Sequence, residues 1–199
     1  MKILATGCLH SDSRLTEELA KRAEKEGVEM VLLCGDLTHS NTSTDGLIGP
    51  FKKRGLNVAL VPGNHEPEAV ADFLAEAYNV KNLHGSSLKL KDVGFFGCGA
   101  ANIGVFQLGD KESYYLFYKG FKDVKDATKT VLVSHIPPSG TLMEKLVPGS
   151  GSDAVRRAIE SFQPDIAFCA HLHEAEGIEE TIGKTRVINV GRKGKIIDI

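Results

Sequence analysis

Little in this sequence leans toward a polyanion, a membrane or a disulfide scaffold. The 24 Lys and Arg nearly balance the 26 Asp and Glu, the formal net charge is -2, and the two signs are interleaved along the chain. No basic excess is present to give a strong nucleic-acid signal. No apolar run approaches the roughly 20 residues of a membrane span. The opening MKILATGCLHSD carries an apolar stretch too short for a signal h-region. The expected location is therefore the cytoplasm, with no membrane partner. Four cysteines in 199 residues, without the dense framework of a small secreted domain, read as reduced thiols. No internal repeat, low-complexity tract or linker divides the chain, so one domain over 1–199 is expected. A chain of this size buries about 70% of its unfolded surface.

What is there is an alternation of short strand-like runs and helical patterns. KILAT, EMVLLC, NVALV, TVLVS and DIAFC are each apolar enough to be buried on both faces. Between them, Leu15, Leu19 and Ala23 repeat at helical spacing before Gly27. In SDAVRRAIESFQPD, Ser152 or Asp153 can cap, Val155, Ala158, Ile159 and Phe162 form one face, and Pro164 stops the helix. In DKESYYLFYKGFKDV, the stripe of Tyr114, Phe117, Phe121 and Val124 predicts core packing, with Tyr115 and Tyr118 on the other side. The segment 83–98 predicts short hairpin strands, and so does the tail 181–199, with turns at Gly183-Lys184 and Lys193-Gly194. Gly97-Cys98-Gly99 reads as a turn. The class is α/β, with a mixed sheet or two packed sheets flanked by helices.

Each strand run ends in a side chain able to hold a metal. KILATG leads to Cys8 and His10, MVLLCG to Asp36, VALVPG to Asn64, His65 and Glu66, TVLVS to His135, and DIAFCA to His171 and His173. Ligands of open α/β sheets collect beyond the carboxyl ends of strands. Any one of these elements is weak, since a lone histidine is usually structural and Gly63-Asn64 is an ordinary turn pair. Their recurrence in order points to a composite site. His39 follows Asp36 in a polar loop, where it is expected to be solvated but within reach of a substrate, and His84, away from every block, reads as structural.

Gly35-Asp36, Gly63-Asn64-His65-Glu66, the isolated His135 and His171-Leu172-His173 resemble the signature blocks of the calcineurin-like metallophosphoesterases. SHIPPSGT and FCAHLHEAEG are similar to the small prokaryotic phosphodiesterase-like branch. Two departures stand out: Cys8 occupies the place of the opening aspartate, and Ala170 that of the glycine before the final His-x-His. The resemblance implies a four-layer α-β-β-α sandwich of two mixed sheets flanked by helices. It implies two divalent metals, zinc, iron or manganese. One would be held by Cys8, His10, Asp36 and His173, the other by Asp36, Asn64, His135 and His171, with Asp36 bridging. The implied reaction is phosphoester hydrolysis by a metal-bridging hydroxide, on diesters more than monoesters. His65 would protonate the leaving oxygen or hold the phosphoryl group, with Glu66 orienting it. The implied substrate is a small phosphorylated molecule, a nucleotide being one candidate, and a homo-oligomer stays open.

Cysteinate keeps the -1 charge of aspartate while softening the ligand, which moves the site toward zinc or iron. The competing reading makes Cys8 a small buried thiol like Cys34 and Cys169 at similar strand ends. On that reading the fold is a metal-binding interaction module with weakened catalysis. Ala170 would strain its loop if the position required positive φ.

Overall fold

The apolar runs fold as strands in this computed structural model, which describes residues 1–40 and 42–199; Asn41, in the polar loop after Asp36, lies outside the described residues. In chain order the elements are β1 (Lys2–Thr6), α1 (Ser13–Lys25), β2 (Met30–Cys34), α2 (Gly49–Lys52), β3 (Asn57–Val61), α3 (Glu68–Tyr78), β4 (Lys81–Asn82), β5 (Ser86–Leu90) and β6 (Val93–Cys98). They continue with α4 (Asp110–Phe121), β7 (Lys129–Ser134), α5 (Leu142–Leu146), α6 (Asp153–Phe162), β8 (Ile166–Cys169), a 3-10 turn (His173–Ala175), β9 (Glu179–Ile182), β10 (Thr185–Asn189) and β11 (Lys195–Asp198).

One sheet has the order β11-β1-β2-β3-β4 and the other β5-β6-β7-β8-β10-β9. Both are parallel inside and antiparallel at an edge: β11 runs against β1, β5 against β6, and β9 against β10. The period-2 alternation of side chains then sorts the core into layers. Ile3, Ala5, Met30, Leu32, Ala59 and Val61 point from the first sheet at Phe95, Val131, Val133, Phe168 and Ile188 of the second. The intervening Leu4, Val31, Leu33, Val58 and Leu60 face the helices through Leu19, Ala23, Phe51 and Leu74. On the outer face of the second sheet, Phe96, Leu132, Ala167 and Val187 pack with Phe117, Val155 and Ile159 of α4 and α6. The result is the expected α-β-β-α sandwich, with strands buried on both sides because each sheet has a covered face on either side.

Caps and stops fix the helix ends, including one at Asp12 that was not among the expected caps. The Asp12 carboxylate accepts from Leu15 N–H at 3.0 Å to cap α1. Ser152, not Asp153, caps α6, its Oγ accepting from Val155 N–H at 3.2 Å. Gln163 takes the left-handed conformation just before Pro164. Along α4, Phe117 is buried while Tyr115 and Tyr118 stay exposed.

Two expectations need correction. The tail is not a run of hairpins: β9 and β10 pair across Gly183-Lys184, but β10 also lies parallel to β8, whereas β11 crosses to the other sheet and pairs with β1. Pleat alternation is blind to which of two sheets a strand joins. Gly97 and Cys98 end β6 instead of forming a turn. Glycine is needed in that run because a Cβ at Gly97 would meet Val133 O at 2.5 Å.

Candidate metal centre

The loops leaving the strand ends are tied to one another before any side chain is considered. Cys8 N–H donates to Gly35 O at 2.9 Å, His10 N–H to Asp36 O at 3.0 Å and Ser11 N–H to Leu37 O at 2.9 Å. Within the second sheet, beyond the ends of the neighbouring strands β7 and β8, Ala170 N–H donates to His135 O at 2.8 Å. These loops hold non-glycine residues in the left-handed region: Cys8 (φ 53°), His10 (49°), Ser11 (61°), Asp36 (52°) and His171 (63°). Such positions cost on the order of 1–3 kcal/mol each and persist where the surroundings over-determine them, which is common at functional sites. The strain anticipated at Ala170 falls instead on the ligand candidate beside it, His171. Ala170 itself is fully buried against Gly7, where an added Cβ would lie 2.6 Å from the alanine methyl.

The metal-ligand candidates that follow the strand ends come together here. The donor atoms of Cys8, His10 and His173 lie within 4.8 Å of one another, as do those of Cys8, Asp36 and His135. Asp36 Oδ2 sits 3.3 Å from His135 Nε2, 3.9 Å from His65 Nε2 and 4.0 Å from His10 Nε2. The His171 ring meets that of His135 edge-on at 4.9 Å. Cys34 and Cys169 do not join this group; Cys34 packs between the sheets, and Cys169 lies against Met143.

His135 provides the fit test for a cation. Its Nδ1 lies 2.8 Å from Cys34 O, an atom that only accepts, so Nδ1 carries a proton. Nε2 then faces two oxygens, Asn64 Oδ1 at 2.9 Å and Asp36 Oδ2 at 3.3 Å. A neutral imidazole would bring three lone pairs together there. Either a second proton or a metal ion resolves the conflict, and a histidine fixed through Nδ1–H on a backbone carbonyl is the usual arrangement of a metal ligand. The residues fit the implied metals.

The charges agree with that reading. Burial works to lower the affinity of His135 for a proton, but the Asp36 carboxylate prevails and raises it. Asp36 is opposed by its own burial, yet His135 and His65 hold its carboxyl well below the ordinary range. Burial pushes His10 and His171 down to about 4, leaving both rings neutral and free to donate a lone pair. Burial, aided by the Asp36 charge, pushes the Cys8 thiol up to about 12. Without a cation, Cys8 is a protonated thiol, and a metal would have to displace that proton.

The orientation of His65 by Glu66 is not what the structure contains. The Glu66 carboxylate accepts from Gly63 N–H at 2.7 Å, Leu37 N–H at 3.1 Å, Thr38 N–H at 3.1 Å and the Thr38 hydroxyl at 3.2 Å. It locks the Asp36 loop to the Asn64–His65 loop, and backbone donors are invisible in a sequence pattern. His65 is anchored by its own N–H, which donates to Asp36 Oδ1 at 3.0 Å. Sequence reading also missed Asn189, whose amide donates to Ala170 O at 3.1 Å and Leu172 O at 3.0 Å and so supports the loop carrying His171 and His173. Its position at the end of β10, immediately after a buried apolar run, was the available signal. His84 is structural as read, accepting from Gly99 N–H at 3.1 Å.

The family model of the calcineurin-like phosphoesterases matches residues 1–175. An uncharacterized protein of Methanocaldococcus jannaschii is 29% identical over 187 residues, covering 89% of this chain and 84% of its own. Among solved structures, the protein TT1561 of Thermus thermophilus superposes with a TM-score of 0.79 at 20% identity, over 99% of this chain and 98% of its own. A dimetal phosphatase from Danio rerio superposes with a TM-score of 0.63 at 14% identity, over 95% and 86%. No helix among the described residues is long and apolar enough to cross a membrane.

Proposed function

The chain belongs to the calcineurin-like phosphoesterase family, and from that premise we propose that it hydrolyses a small phosphodiester, a nucleotide being one candidate, at a site for two divalent metals. Cys8, His10, Asp36 and His173 would hold one metal, and Asp36, Asn64, His135 and His171 the other. The observation that carries this reading is the meeting of His135 Nε2, Asn64 Oδ1 and Asp36 Oδ2, where a metal ion would take the place of the second proton that the ring otherwise needs. When bound, the metals supply Lewis-acid activation of water and charge neutralisation on the phosphoryl group. The soft Cys8 sulfur favours zinc or iron over harder ions.

The protein's own contribution is charge, rigidity and a proton. Asp36 is kept ionised by the imidazoles around it. Glu66 fixes the two loops that meet beneath it. His65 stands at the mouth of the cluster, its side chain 28% exposed and its Nε2 3.9 Å from Asp36 Oδ2, placed to protonate the leaving oxygen. A proton donor there serves turnover and has no use in a pure binding module. The diester preference is supported by the likeness of SHIPPSGT and FCAHLHEAEG to the phosphodiesterase-like branch. We take residues 1–199 as one unit, because β10 and β11, beyond the family match, pair with β8 and β1.

The test compares an aryl phosphodiester with the corresponding monoester, using protein stripped of metal and then reloaded. Hydrolysis is expected only after reloading, faster on the diester, and lost in Asp36→Asn and His135→Ala. Full turnover by verified metal-free protein would overturn the metal-dependent reading, and a faster monoester would overturn the diester preference.

A further inference from the structure

We infer that His39 is a positioning residue for His65, holding its ring by offset stacking. The role of His65 in this inference rests on the proposed phosphoesterase reading. A histidine that delivers a proton must keep its ring plane fixed, and the usual device is a hydrogen bond from the distal ring nitrogen to a carboxylate or carbonyl. Among the described residues His65 has no such bond: its Nδ1 is buried without a partner there. The carboxylate next in the chain, Glu66, is occupied by backbone donors. What restrains rotation of the ring is packing.

His39 supplies that packing. Its ring lies 5.0 Å from that of His65, with planes 21° apart, while His10 meets the same ring edge-on at 5.1 Å and 87°. Two neighbouring rings, one near-parallel and one near-perpendicular, thereby pack on His65. Offset stacking at this separation is a favoured aromatic geometry.

His39 is exposed, yet its backbone is held. Its N–H donates to Thr42 Oγ1 at 3.1 Å, and Thr42 N–H returns a bond to His39 O at 3.2 Å. Thr42 Oγ1 is in turn 2.6 Å from Ser11 Oγ, which donates to Ser43 O at 2.9 Å. The loop bearing His39 is thus bolted to the loop bearing Cys8 and His10. An exposed histidine held this firmly on the open face of another needs a reason, and orientation of His65 provides one.

The test uses His39→Ala, which removes the stacked face, and His39→Phe, which retains a flat ring but no nitrogen. In metal-free protein, ring signals of His65, assigned by their loss in His65→Ala, should broaden in His39→Ala and stay sharp in wild type and His39→Phe. With a diester of poor leaving group, His39→Ala should lower kcat by about 3- to 10-fold, the factor one aromatic pair can supply. KM and metal content should stay within about twofold, and His39→Phe should recover most of the rate. In a His65→Ala background, His39→Ala should cost nothing further, because the two residues act as one unit. Unchanged ring signals in His39→Ala, failure of His39→Phe to rescue, or an equal loss in the His65→Ala background would each overturn the inference. If wild type hydrolyses nothing, the proposed function fails, while the ring signals still decide whether His39 holds His65.

Discussion

Metal affinity should carry the pH signature of Cys8. Burial and the Asp36 charge push that thiol up to about 12 in the metal-free protein. At pH 8 its ionised fraction is then about 10⁻⁴, so binding through sulfur must release one proton per cation. The affinity should therefore gain about tenfold, or ~1.4 kcal/mol, for each unit of rising pH. His10 and His171, pushed down to about 4, are already neutral above pH 7 and add nothing to this slope. His135, whose proton affinity is raised, contributes equally to wild type and to a Cys8 variant, so it cancels in the difference. Between pH 7.0 and 8.5, wild type should thus gain about 30-fold more affinity than Cys8→Ala or Cys8→Asp, the extra slope being one proton. Competition with a chelating dye at controlled free zinc measures this for all three proteins. Cys8→Asp should also shift preference toward manganese, since its carboxylate is hard and already ionised in this range. Identical slopes in wild type and Cys8→Ala would refute ligation by Cys8 and leave it a buried thiol.

Other perturbations address the backbone around the site. A Cβ at Gly63 would run into the Asp36 carboxylate and its backbone N, so Gly63→Ala should fold but displace Asp36. A shift of about 1 Å costs on the order of 10²-fold in rate, and a variant with wild-type kcat and metal stoichiometry would contradict the close packing. Glu66→Gln replaces an acceptor of bonds from Gly63, Leu37 and Thr38 with a group that is half donor. Losing charge-assisted bonds of this kind costs about 1.5–3 kcal/mol each. The urea midpoint should therefore fall at unchanged m-value, and a midpoint equal to wild type would show that Glu66 does not brace the loops.

The sequence by itself determined the buried inner strands and which metal-ligand candidates follow them. Runs such as MVLLC and NVALV are apolar at every position because both faces are covered, a local property that needs no knowledge of partners. Cys8, His10, Asp36, Asn64, His65, His135, His171 and His173 follow strand ends directly, so parallel strands carry them to one edge of the sandwich. Tertiary structure decided whatever depends on groups that are distant in the chain or lack side-chain identity. The crossing of β11 to β1, 198 residues away at Met1 and Ile199, has no local signal. Glu66 turned out to serve backbone N–H groups, which every residue but proline possesses and no pattern distinguishes. His39 lies far enough from His65 in sequence that their stacking depends on two loops being fastened together through Ser11 and Thr42. Composition and spacing select the atoms that can meet, and the packed loops then fix the planes and lone pairs on which the chemistry depends.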